Sequence, residues 1–458
     1  MSDKRGSWKP ILNTDGATQA VAIARQVATR SQDPARVEIA VAYAKRQTGY
    51  PKSIHWHPIS VAQGYAGLGL LWGYMDTCFP GEGWDLVGRA HLEIAARAAE
   101  RQSSFTYGMY AGLGGLALTS WYLSRNGKRY RKLRSSIEGP LLQLIAGATG
   151  SAAAARHGVG VSSFDVISGL SGVGRYLLLR IDDSRHEAIL KAVLRCLARL
   201  TKKKGGLPHW YTPPQLISDE ISLRLYPYGN LNCGLAHGIP GPLAMLSIAA
   251  MAGVVIEGQF EAIRDIAEWL CQCRVYDRWG LNWPTAVPVG PEGVPLNPPS
   301  NADSQEVGRG SYRPSRAAWC YGSPGIARSL WLAGKAVREP RYQDIAVAAM
   351  DAVYRRPLEA RHIDSPTFCH GVAGLQQITL RFAHDTKLPL FIDAARTLHR
   401  QIMGAYEPAS VLGYRNVEPG GCRIDHPGLL DGAPGVALVL LAAATSVEPV
   451  WDRLFLLS

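Results

Sequence analysis

The chain has 458 residues, of which 47% are hydrophobic and 19% charged, a globular balance that excludes disordered and collagen-like classes and allows a large core. The formal net charge is +12, yet no basic helix interleaved with aromatics and no zinc-finger spacing occurs, which argues against nucleic-acid binding. Apolar runs such as Met245–Ile256 fall short of the roughly 18 residues that a membrane span requires, and the opening MSDKRGSWKP lacks a signal core, so a cytoplasmic, non-spanning protein is expected. The eight cysteines form no dense disulfide framework and are expected to be reduced. Cys271 and Cys273 lie in the helical stretch EAIRDIAEWLCQC and read as buried, inert thiols.

Residues 1–54 read as an N-terminal helical segment packed on the main domain, 55–458. The segment runs into SIHWHPIS, where His55 and His57 have no further ligands nearby to make a metal site. A short pattern then recurs seven times: Gly-x-x-Gly followed by an apolar run. Its first glycines are Gly64, Gly112, Gly169, Gly238, Gly322, Gly371 and Gly432, separated by 48 to 84 residues. Each copy is expected to open a helix, with Pro240, Pro324 and Pro434 in first turns that tolerate proline. Between copies lie stretches such as HEAILKAVLRCLARL and PLFIDAARTLHRQI, whose three-and-four spacing marks amphipathic helices. The predicted fold is all-α, an α/α toroid of seven inner and seven outer helices, with an open solenoid as the alternative. Two segments, 203–232 and 279–315, are rich in Pro, Gly and aromatics and read as irregular or small β insertions around the site.

The residues immediately before the first glycines are Gln63, Ala111, Ser168, His237, Tyr321, His370 and Asp431. Six of the seven are polar, and in a toroid they share one rim, which points to a site there. One residue earlier, repeats five and six carry Cys320 and Cys369, with His370 beside the second. Two thiols and an imidazole in equivalent register suit a catalytic zinc with one open position. The same residues could also serve as rim packing, and register alone leaves both readings open.

The strings LAHGIPG, WCYGSPG and FCHGVAG resemble, in order, three signature motifs of the lanthionine synthetase C-like (LanC) cyclases. The likeness extends to DVISGLSG around Asp165, SRAAWCYG around Arg316 and the closing WDRLFLLS, and so covers the chain from about residue 55 to its end. The resemblance implies an α/α toroid, a single Zn2+ and a stand-alone bacterial lanthipeptide cyclase. It assigns Cys320, Cys369 and His370 as zinc ligands. It makes His237, in Gly234-Leu-Ala-His237-Gly238, the acid–base group, and places Asp165, Arg316 and Tyr321 at the same site.

The implied reaction adds a peptide cysteine thiolate to dehydroalanine or dehydrobutyrine, giving a thioether ring. In it Asp165 orients His237, Arg316 stabilises the enolate, and Tyr321 is the second choice of proton donor. The implied partners are a dehydrated precursor peptide with its leader, a lanthipeptide dehydratase and a transporter, the last two offering a route to membrane association. Two other functions fit the same pattern: an enzyme adding glutathione to dehydrated residues, and a non-catalytic helical scaffold that binds peptides. A toroid glycosidase needs paired central carboxylates, and only Asp431 occupies the rim register.

Overall fold

Every Gly-x-x-Gly string opens a helix in the computed structural model, which describes residues 8–154, 158–296 and 315–458. These helices are Tyr65–Cys78, Leu113–Tyr122, Leu170–Leu179, Pro240–Met251, Ser323–Val337, Val372–Thr386 and Ala433–Ala444. The first glycine is the N-cap in six of them, and in the fourth the helix starts two residues after Gly238.

Close packing explains why glycine recurs. At four of these starts, Gly238, Gly322, Gly371 and Gly432, the chain folds back so that a carbonyl six residues upstream occupies the place of a side chain. A Cβ on Gly432 would lie 2.0 Å from the His426 carbonyl oxygen, and one on Gly435 would lie 2.2 Å from that of Leu429. Gly322 carries both constraints: its φ is +102°, and a Cβ would lie 1.6 Å from the Arg316 carbonyl oxygen.

Burial separates the helices into two kinds. Ala433–Ala444 is buried at all twelve positions, and Ser323–Val337 from Ser323 through Gly334. The helices between them bury one stripe. Ser184–Arg199 buries His186, Leu190, Val193, Leu194 and Leu197, and Pro389–Gly404 buries Phe391, Ala395, Leu398, His399 and Ile402. Each fully buried Leu or Phe contributes about 1.5–3 kcal/mol of transfer free energy, so the all-round buried helices supply much of the core.

The described residues form two compact units. The first lies within Met1–Phe105, Tyr110–Ile137 and Ile363–Asp452. In it Tyr65–Cys78 packs on Trp84–Glu100, and Val372–Thr386 on Pro389–Gly404. Ala433–Ala444 packs on Thr14–Ser31 from the N-terminal segment. Trp72 Nε1 donates to His91 Nδ1 at 2.9 Å, tying a buried helix to its striped partner. Arg381 makes a buried double hydrogen bond to Asp452, which also accepts from Gln377.

The second unit lies within Thr106–Met109, Glu138–His362 and Arg453–Ser458. It pairs Leu170–Leu179 with Ser184–Arg199, Pro240–Met251 with Gln259–Gln272, and Ser323–Val337 with Pro340–Arg355. The two irregular segments meet here: Asn230–Asn232 pairs antiparallel with Ala286–Pro288, in the register Asn230↔Pro288, Leu231↔Val287 and Asn232↔Ala286. Residues 297–314 of the second insertion lie outside the described residues. The closing residues Leu454 to Leu457 are buried, and their backbone accepts from Trp319 Nε1 and Arg328 Nε.

Within each unit, backbone hydrogen bonds link the loops that precede successive glycines. In the first, Phe368 N and Cys369 N donate to Leu430 O, and Val61 N to Tyr110 O. In the second, Val166 N donates to Ala236 O, and Ala236 N to Cys320 O. Equivalent sequence positions therefore become neighbours in space. Among the described residues no helix is long and apolar enough to cross a membrane.

Candidate functional site

In the second unit, Asp165 and His237 meet. Asp165 is 1% exposed, and its Oδ1 accepts from Ser168 N and Gly169 N, both at 2.7 Å, at the start of Leu170–Leu179. Its Oδ2 lies 2.6 Å from His237 Nδ1. A carboxylate already held by two backbone donors can only accept from the ring, so the proton sits on Nδ1 and Nε2 is the nitrogen left for chemistry. His237 is part-exposed, with 39% of its side-chain surface accessible, so that nitrogen is reachable.

Tyr321 packs over the same ground, its ring centroid 6.3 Å from that of His237. Gly234 makes room for it, since a Cβ there would lie 2.5 Å from the Tyr321 ring. The Tyr321 hydroxyl accepts from Asn232 Nδ2 at 3.1 Å, and Asn232 Oδ1 accepts from Gly234 N at 2.9 Å. Burial pushes the Tyr321 phenol well above its ordinary range, so it is protonated at neutral pH. Cys320 is buried at 7% exposure, with its carbonyl accepting from Ala236 N. Arg316 is exposed, and among the described residues Asp165 bonds to His237 and backbone amides, not to this arginine.

In the first unit, Cys369 Sγ, a ring nitrogen of His370 and a carboxylate oxygen of Asp431 lie within 4.8 Å of one another. His370 Nδ1 is 3.5 Å from Asp431 Oδ1, a buried oxygen with no hydrogen-bond donor among the described residues. A thiol and an imidazole beside an under-satisfied carboxylate, which can act as a third ligand or as the imidazole's partner, fit a borderline-soft divalent cation such as zinc. His426 lies in the same unit, 1% exposed, and burial lowers its pKa.

Three of these residues were not reached by sequence reasoning. Asp431 was visible in the rim register but carried no partner. Asn232 lies in an irregular segment whose strand exists only through pairing with 286–288. Tyr107 precedes the second glycine loop without any motif; burial, and then the Asp165 charge, pushes its phenol up to about 12. Conversely, Gln63 is polar for a structural reason: its Oε1 accepts from His55 N and its Nε2 donates to Ser53 O. No disulfide joins any of the eight cysteines; burial pushes the Cys271 thiol up to about 11 and raises that of Cys273, as expected for inert thiols.

The sequence profile of the lanthionine synthetase C-like proteins matches residues 55–456. The nisin biosynthesis protein NisC of Lactococcus lactis subsp. lactis is 27% identical over 374 residues, which span 80% of this chain and 81% of NisC. The solved structure of a nisin cyclase superposes with a TM-score of 0.73 at 23% identity, covering 92% of this chain and 96% of that one. The all-α helical-toroid class expected from the repeats is thus the fold class of a solved relative.

Proposed function

The chain belongs to the lanthionine synthetase C-like family, and on that premise we propose that it works as a zinc-dependent lanthipeptide cyclase. It is a lanthionine-forming enzyme whose substrate is a dehydrated precursor peptide still carrying its leader. A dehydratase must supply that substrate, and a transporter is the natural consumer of the product. The cytoplasm is the compartment in which such a precursor is made.

The proposed zinc ligands are Cys320, Cys369 and His370. The repeat register supports this set, because both cysteines stand two residues before their glycines and His370 follows the second. The first-unit cluster of Cys369, His370 and Asp431 supports two of the three, Cys369 and His370. A zinc ion held there would supply a Lewis acid at which the substrate thiol loses its proton near neutral pH.

The observation that carries the acid–base assignment is the 2.6 Å contact between Asp165 and His237. With Nδ1 held by the carboxylate, His237 Nε2 takes the proton of the substrate thiol. The sulfur lone pair then forms the S–Cβ bond to the dehydroamino acid, and the Cβ=Cα electron pair moves toward the carbonyl oxygen as an enolate. The same imidazole returns the proton to Cα, while Arg316 balances the enolate charge. Tyr321, kept protonated by burial and held by Asn232, is the alternative donor to Cα.

The test is incubation of the zinc-loaded protein with a dehydrated peptide that contains cysteine, followed by thiol alkylation, mass spectrometry and chiral analysis. Loss of free thiol with one diastereomer of (methyl)lanthionine is expected. Reaction only when glutathione is added would move the chain to intermolecular thiol addition. No reaction, with tight peptide binding and no metal, would make it a scaffold.

A further inference from the structure

His426 belongs to none of the seven glycine strings, but its ring cannot be explained as packing alone. Its Nδ1 accepts from Gly428 N at 3.0 Å, so the neutral ring carries its proton on Nε2. That nitrogen is buried and has no acceptor among the described residues. Gly428 exists to allow this placement, since a Cβ there would lie 2.7 Å from the His426 ring. The His426 carbonyl packs against Gly432, the residue after Asp431, so histidine and aspartate belong to one tight loop.

Asp431 Oδ1 presents the complementary deficit, a buried acceptor without a donor among the described residues, 3.5 Å from His370 Nδ1. Leaving a buried donor or acceptor unsatisfied is destabilising. A loop that retains one of each beside a metal-ligating imidazole has a use for them. Phe368 N and Cys369 N are both tied to Leu430 O, at 3.0 and 2.9 Å, which holds His370 against the Asp431 carboxylate by backbone alone.

We propose that Asp431, backed by His426, is the positioning carboxylate of His370. It accepts a hydrogen bond from Nδ1–H, fixes the ring's tautomer, and leaves Nε2 as the metal-binding nitrogen, while the His426 Nε2–H, through one water, donates toward the carboxylate. The inference rests on the zinc reading above and adds to it two residues outside the ligand set. Partners of this kind raise the basicity of a ligating imidazole, and their removal typically weakens metal affinity by about 10–100-fold.

The experiment uses the full chain, stripped of metal and titrated with zinc against a chromogenic chelator, and with cobalt followed by its visible absorption. For Asp431→Asn we expect zinc affinity about 10–100-fold weaker than wild type, with the thiolate-to-cobalt bands retained. Asp431→Glu should recover most of the affinity, which a merely structural role would not require. His426→Gln should weaken binding by less than Asp431→Asn. Equal affinity in wild type and Asp431→Asn overturns the proposal while leaving the zinc reading intact. A changed cobalt coordination geometry in Asp431→Asn also overturns it, because Asp431 would then be a ligand. A wild-type chain that takes up no zinc sinks both readings. Should Asp431→Asn fail to fold in a metal-free melt, Asp431→Glu and His426→Gln decide by the same titration: wild-type affinity in His426→Gln together with no affinity in Asp431→Glu would overturn the proposal.

Discussion

His237 and His370 occupy the same position in their repeats, one residue before the first glycine, yet their surroundings differ in kind. The carboxylate beside His237 is already satisfied: Asp165 holds two backbone amides and the ring, with every contact at 2.6–2.7 Å. The carboxylate beside His370 is not, for Asp431 Oδ1 is buried without a donor among the described residues, and the ring stands off at 3.5 Å with a cysteine next to it. A saturated carboxylate can only orient an imidazole and hold its charge, which suits proton transfer. A cluster of thiol, imidazole and carboxylate is the kind of donor set that suits a metal. On the proposed reading, one register serves two kinds of chemistry, and the state of the neighbouring carboxylate separates them.

The sharpest way to break this contrast is to remove a ligand. Cys369→Ala and His370→Ala are each expected to lose stoichiometric zinc in elemental analysis, and Cys320→Ala likewise. Undiminished metal in any of the three would take that residue out of the site. Next in size, His237→Asn should keep zinc and its melting temperature but slow cyclisation by about 10²–10⁴-fold. Its residual product should be a mixture of diastereomers, because water can protonate the enolate from either face. A normal rate with one diastereomer would transfer the proton to Tyr321. Asn232→Ala should cost less. Losing one neutral hydrogen bond of about 1 kcal/mol corresponds to about a fivefold fall in rate. Tyr321→Phe combined with Asn232→Ala should be no slower than Tyr321→Phe alone if Asn232 acts through that hydroxyl.

The smallest effect concerns acid stability. Burial lowers His91, His384 and His399 to about 4, all three in the first unit. His91 must be neutral, since its Nδ1 accepts from Trp72 Nε1. Its folded pKa lies below the ordinary histidine value near 6.5. Its stabilisation is therefore complete above pH 6.5 and is lost as pH falls toward 4. The melting temperature should decline across that window, and His91→Gln should flatten the decline. An unchanged slope would mean that the Trp72 contact is not held by the neutral ring.

Much of the architecture was legible because its causes are local. A helix start that folds back onto its own carbonyl six residues upstream excludes a Cβ, so glycine marks the place, at Gly238 and Gly371 as at Gly322 and Gly432. Stripe spacing separated Ser184–Arg199 and Pro389–Gly404 from the all-round apolar Ala433–Ala444. The register singled out His237, Cys320, Cys369 and His370 because backbone bonds between successive loops, such as Val166 to Ala236 and Phe368 to Leu430, turn equal sequence position into spatial neighbourhood.

What tertiary structure decided has no local signal. Spacing cannot show that Asp165 bonds His237 across 72 residues, or that Thr14–Ser31 serves as the partner of Ala433–Ala444. Nor does polarity announce its purpose. Gln63 and Asp431 occupied the same register, but the first spends its amide on the backbone of residues 53 and 55, while the second keeps a buried oxygen unpaired. The amino-acid sequence by itself determined where helices begin and which side chains reach the glycine loops, because sterics and periodicity act within a few residues. Whether each of those side chains is satisfied or left open depends on which donors and acceptors the fold brings beside it, and only the packed structure supplies them.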